Sequence, residues 1–158
     1  MKIYTIAFFG HRDIESHKEV QEQLECLVRD MVLSQDFVCF LVGRNGDFDT
    51  LASSAVRKIK KRVCGDNSVL TLVLPYTTAE YKNNAPFFEA FYNEIEICEK
   101  SSGVHFKKAI EVRNQYIIDR ADMVICYVEK TRGGAYKALD YAMRCGKKII
   151  NLATAWNR

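Results

Sequence analysis

Apolar residues along this chain follow two alternating patterns: short continuous runs, and longer stretches in which they recur every three or four positions. Ile3 to Phe9 is the first continuous run, the signature of a strand buried on both faces of a parallel sheet. Gly10 ends it. Val20, Leu24, Leu27, Val28, Met31 and Val32 then fall on one face of a helix predicted over about Ser16 to Ser34. Phe37 to Val42 reads as a second strand. Leu51, Ala52, Ala55, Val56, Ile59 and Val63 make a second helix face, with Lys58, Lys60, Lys61 and Arg62 on its solvated side. Val69 to Leu74 is a third strand, closed by Pro75. Pro86 opens a predicted helix whose apolar face is Phe87, Phe88, Phe91, Ile95 and Cys98, and Lys100 to Lys107 reads as a loop. Ala109, Val112, Tyr116 and Ile117 mark a helix leading to Ala121. A fourth strand at Met123 to Val128 follows, then a helix through Ala138, Leu139, Ala142 and Cys145 capped by Gly146. A fifth strand spans Lys148 to Leu152. Strands and helices in strict alternation call for an α/β fold: a Rossmann-like, doubly wound parallel sheet of about five strands in a three-layer αβα sandwich.

Composition narrows this further. A chain of 158 residues with 48% hydrophobic content supports one core, so residues 1–158 are expected to form a single domain. A formal net charge of +3, with basic residues dispersed, gives nucleic-acid binding no support. Cys26, Cys39, Cys64, Cys98, Cys126 and Cys145 include no Cys-x-x-Cys pair and mostly sit within apolar patterns, as reduced, buried thiols do. His17 and His105 have no partners at metal spacing, so neither a metal nor any cofactor is called for. The opening residues carry one lysine and a short apolar stretch, but Gly10-His11-Arg12-Asp13 replaces the small residues of a cleavage site. The segment reads as a strand. With no run approaching the roughly 18 apolar residues of a membrane span, a cytoplasmic protein is expected.

In doubly wound sheets, ligands bind beyond the carboxyl ends of the strands. Three strand exits carry glycine with cationic side chains: Gly10-His11-Arg12, Gly43-Arg44-Asn45-Gly46-Asp47-Phe48-Asp49, and Thr131-Arg132-Gly133-Gly134. The last is a glycine pair opening a helix, where free backbone N–H groups and the helix dipole favour an anion. Gly10, His11, Arg12, Gly43, Arg44, Gly46, Asp49, Arg132, Gly133 and Gly134 are therefore the candidate ligand-binding residues, and a phosphate-bearing small molecule is the candidate ligand. Tyr76, Thr77 and Thr78, after the third strand, are weaker candidates for holding a base and ribose. The stripe of Phe87, Phe88 and Phe91 reads as core or as a dimer face.

Gly43 through Ala52, Arg113-Asn114 through Ala121-Asp122, and Gly133-Gly134 together resemble the YpsA-type branch of the SLOG superfamily, which groups the DNA-processing protein DprA with the LOG ("lonely guy") phosphoribohydrolases. The resemblance implies a Rossmann-like fold binding a nucleotide or an ADP-ribose-like ligand, and, from the LOG enzymes, a dimer. Asp49 falls on the aspartate of the family's Gly-Phe-Asp block. Asp47 stands where a glycine is usual, placing a carboxylate beside the expected phosphate site. Gly133 and Gly134 match the glycine pair that begins the LOG motif Pro-Gly-Gly-x-Gly-Thr-x-x-Glu. Tyr136 and Lys137 replace its second glycine and threonine, and Asp140 replaces its glutamate. Arg113 matches the arginine that LOG enzymes use with that glutamate.

The incomplete motif favours a sensing or regulatory binder over an enzyme. The alternative is a LOG-like N-glycosidic phosphoribohydrolase, in which Arg113 and Asp140, or Asp49, would be catalytic. A third reading is a DprA-like partner of single-stranded DNA. Modest charge and the lack of an interleaved basic and aromatic stripe speak against it.

Overall fold

The structure, a computed structural model, describes residues 1–63 and 66–155, so Cys64 lies outside the described residues. Its elements run β1 (Ile3–Gly10), α1 (His17–Ser34), β2 (Phe37–Val42), α2 (Asp47–Arg62), β3 (Ser68–Leu74), α3 (Ala79–Asn83), α4 (Ala85–Phe91), β4 (Glu94–Ile97), α5 (Glu99–Ser102), α6 (Phe106–Arg120), β5 (Met123–Tyr127), α7 (Gly134–Arg144), β6 (Lys148–Asn151) and α8 (Leu152–Ala155). Six strands form one sheet in the order β4-β3-β2-β1-β5-β6, and every pairing is parallel. The chain winds outward from β1 to β4, then crosses to the other side of β1 to place β5. The order therefore reverses between β1 and β5.

Strand alternation sorts the core into two layers. Ile6, Phe8, Val38, Phe40, Leu70, Leu72, Met123 and Ile125 face the side covered by α1, α2 and α4, while Ala7, Phe9, Leu41, Val73, Val124 and Cys126 face α6 and α7. Burial of Cys126 pushes its thiol up to about 12, so it packs as a hydrophobe. Helix α7 stops where expected. Gly146 takes φ +68°, its N–H donates to Met143 O and that of Lys147 to Ala142 O, the paired bonds of a Schellman motif.

The expectation of about five strands and a helix running to Cys98 is corrected by β4. Helix α4 ends at Phe91. Ile95 and Ile97 then alternate with Glu94 and Glu96, which is the period of a strand, and this run pairs with Thr71 to Leu74. Asn93 begins the pairing, its N–H donating to Leu70 O and its Oδ1 accepting from Leu70 N at 2.8 Å. The aromatic stripe divides accordingly: Phe88 is core, Phe91 is partly buried against it, and Phe87 remains 52% exposed. Within the expected loop at Lys100 to Lys107, Ser101 and Ser102 end α5, and Phe106 already begins α6.

Candidate functional site

The point where strand order reverses holds a cleft of about 470 Å³. Four segments line it: Phe9 to Asp13 at the exit of β1, Asn45 and Asp49 at the start of α2, Ile110, Arg113 and Asn114 of α6, and Lys130 with Arg132 to Ala135 ahead of α7. Three of the four meet here because they follow β1, β2 and β5, and parallel strands deliver their carboxyl ends to one edge; α6 adds the fourth.

Gly133 sets the anion-facing corner. It caps α7 with φ +93°, a conformation that L side chains rarely adopt, and no side chain caps the helix start. The first N–H groups of α7, those of Gly134, Ala135 and Tyr136, have no protein acceptor among the described residues. A Cβ added at Gly134 would meet nothing within 4 Å, and Gly133, Gly134 and Ala135 line the cleft. Arg12, Lys130 and Arg132 bring positive charge to the same cleft.

Gly10, which also lines the cleft, Gly43 and Gly46 sit where other elements approach closely. A Cβ at Gly10 would come 2.5 Å from the ring of Phe48, one at Gly43 would overlap the Arg113 guanidinium, and one at Gly46 would overlap the Arg12 backbone. Gly43 and Gly46 are not in the cleft wall; they let Arg113 and the β1 exit approach. Arg44 points elsewhere. Its Nε donates to Glu80 at 2.9 Å, its Nη1 to Tyr92 at 3.1 Å, and its guanidinium lies 4.8 Å over the Phe88 ring.

Arg113 is the centre of the floor, 3% exposed. Nη1 donates to Val73 O at 2.8 Å, Nη2 to Asn45 Oδ1 at 2.7 Å and Nε to Asn114 Oδ1 at 3.0 Å. Asn45 N in turn donates to Asp49 Oδ2 at 2.8 Å. Burial pushes the Asp49 carboxyl above the usual carboxylate range, opposed by the charge of Arg113 and the N–H of Asn45. Burial likewise lowers Arg113, opposed by Asp49. The two charges hold one another through Asn45 rather than by contact.

His11 works between loops. Its Nε2 accepts the backbone N–H groups of Glu129 and Lys130, which fixes the proton on Nδ1. Asp47 lies outside the cleft wall: its Oδ2 accepts from Ile14 N and His17 Nε2, both at 3.0 Å, so the extra carboxylate ties down the loop after β1. The Ile14 N–H and His17 hold it below the usual carboxylate range. Asp140 is also outside the cleft, paired with Arg144 at 3.0 Å on the same helix face. Tyr76, Thr77 and Thr78 do not line it, and Thr78 caps α3 through its Oγ1. Sequence reading did not select Asp13, Asn45, Asn114 or Lys130 as site residues. The adjacency of Arg113 and Asn114 was the available signal for the pair that forms the floor. Among the described residues no group of His, Cys, Asp and Glu could hold a metal, and no helix is long and apolar enough to cross a membrane.

Two solved structures place this architecture. DNA processing protein A (DprA) from Streptococcus pneumoniae superposes with a TM-score of 0.65 at 15% identity, covering 93% of this chain and 49% of its own. DNA processing protein A from Helicobacter pylori, a structure described for its single-stranded DNA binding mode, gives 0.64 at 16% identity, covering 92% of this chain and 63% of its own. The chain has the fold of these proteins. It spans about half to under two thirds of their lengths, and identity this low speaks to fold alone. No family model matches the chain, and no curated protein matches it in sequence.

Proposed function

We propose that this chain is a SLOG-type domain of the YpsA branch that binds a nucleotide or an ADP-ribose-like molecule, in a sensing or regulatory role. The observation that carries the reading is the start of α7: donors without a protein partner and an open face at Gly133-Gly134, set in a cleft where strand order reverses and where Arg12, Lys130 and Arg132 converge. A phosphate fits that corner. The test is a thermal-shift series with AMP, ADP, NAD and ADP-ribose. Binding to the native state alone adds about 2.7 kcal/mol at one hundred times Kd. The Cβ of Gly134→Val would meet no neighbour within 4 Å, so the variant should leave the unliganded Tm near wild type and remove the shift. No shift with any of these at millimolar concentration would overturn the reading.

The likeness to DNA processing protein A favours a second reading, single-stranded DNA binding, since one of those structures is described for that activity. A strand would neutralise several phosphates and lose affinity steeply between about 50 and 200 mM salt. A mononucleotide bound in the cleft would show a shallow dependence. Anisotropy of a labelled oligothymidylate across that range separates the two.

A further inference from the structure

We propose that the floor of this cleft reads the vicinal diol of a ribose, so that the domain selects ribonucleotides over deoxyribonucleotides; the inference rests on the nucleotide reading above. Arg113 carries only donors, so the two amides it touches must turn their oxygens toward it. Asn114 spends Oδ1 on Arg113 Nε, and Asn45 spends Oδ1 on Nη2, which leaves the NH2 group of each without a protein partner among the described residues. Asp49 spends Oδ2 on Asn45 N, which leaves Oδ1 without one. Asn114 and Asp49 are each 8% exposed, yet neither free atom is sealed in protein, and all three residues line the cleft. The floor therefore presents two amide donors beside one carboxylate acceptor.

A hydroxyl both donates and accepts. Two adjacent hydroxyls satisfy this set together: one gives its proton to Asp49, and their oxygens accept from the amides. A base edge could supply the same hydrogen bonds, but it would also want an aromatic face. Among the described residues, the only ring of Phe, Tyr or Trp in the wall is that of Phe9, which is 4% exposed and packed in the core. The phosphate corner at Gly133-Gly134 lies in the same cleft, consistent with a ribose phosphate spanning the two. Arg113 acts here as a positioning residue.

Isothermal titration of AMP, 2′-deoxy-AMP and 3′-deoxy-AMP decides the matter. Wild type should bind AMP at least about tenfold more tightly than either deoxy form, since each lost hydroxyl leaves a floor group unpaired. Asp49→Asn and Asn114→Asp keep the size of the side chain and its bond to Asn45 N or to Arg113, but exchange acceptor and donor toward the ligand. Each should bring the ribose-to-deoxyribose ratio to within about threefold of unity, a readout that cancels any general loss of affinity. The wild-type comparison stands without the variants should either fail to fold. Equal affinity for all three nucleotides in wild type would overturn the diol assignment while leaving nucleotide binding in place. Absence of binding to any of them would overturn both.

Discussion

The Nε2 atom of His11 accepts the backbone N–H of Glu129 at 2.9 Å, joining the exit of β1 to the loop before α7 across 118 positions of sequence. The same atom accepts from Lys130 N at 3.2 Å. A protonated imidazole could do neither.

A pH dependence follows from this contact. Burial, then the charge of Lys130, lowers the folded-state value of His11, with Glu129 opposing. A histidine lowered on folding contributes stability that is full above its unfolded value of about 6.5 and is lost as pH falls through it, because the unfolded chain takes the proton first. Tm, and ligand affinity at the Gly133 loop, should therefore fall between about pH 7 and pH 5.5. His11→Ala should flatten that part of the profile relative to wild type. An unchanged slope in the variant would show that another group carries it.

Removing Arg113 should cost more than any surface change. Arg113→Ala strips partners from Val73 O, Asn45 and Asn114 and leaves the buried Asp49 carboxylate without its opposing charge. A loss of about 3–5 kcal/mol is expected in denaturant titration. Arg113→Met, which restores bulk without charge, should recover little of it.

Gly43→Ala should destabilise by about 1–3 kcal/mol, because the new methyl must displace a guanidinium held by three hydrogen bonds. Gly134→Ala, which meets nothing, should stay within about 0.5 kcal/mol of wild type. Matched chemical denaturation of the pair tests whether the first glycine serves packing and the second the ligand.

Hydrolysis of AMP to adenine and ribose 5-phosphate should be absent or very slow. Asp140 stands outside the cleft wall, engaged by Arg144, and Arg113 Nε, Nη1 and Nη2 each already donate to a protein acceptor. A catalytic group misplaced by as little as about 1 Å already costs on the order of a hundredfold in rate. Chromatography for released adenine is the assay. Turnover abolished by Asp140→Asn would establish the enzyme reading instead.

The layered α/β class, five of the six strands and the placement of α1, α2 and α7 were legible from periodicity, because each of those segments buries a face whose spacing is fixed by its own backbone geometry. Ile95 and Cys98 misled, since they stand four and seven positions after Phe91 and so fit a helix face continued from it. Only pairing with Thr71 to Leu74 decided for a strand. The glycine pair at Gly133-Gly134 was visible because a positive φ and an uncapped helix start demand a particular residue locally. The roles of Gly10, Gly43 and Gly46 were not, because they depend on Phe48, Arg113 and Arg12 arriving from other elements. Arg113, Asn45, Asn114 and Asp49 likewise carry no spacing signal as a floor. The bonds from Arg113 to Val73 O and Asn45 Oδ1 exist only once α6 is laid across the ends of β2 and β3, and that placement belongs to the tertiary fold.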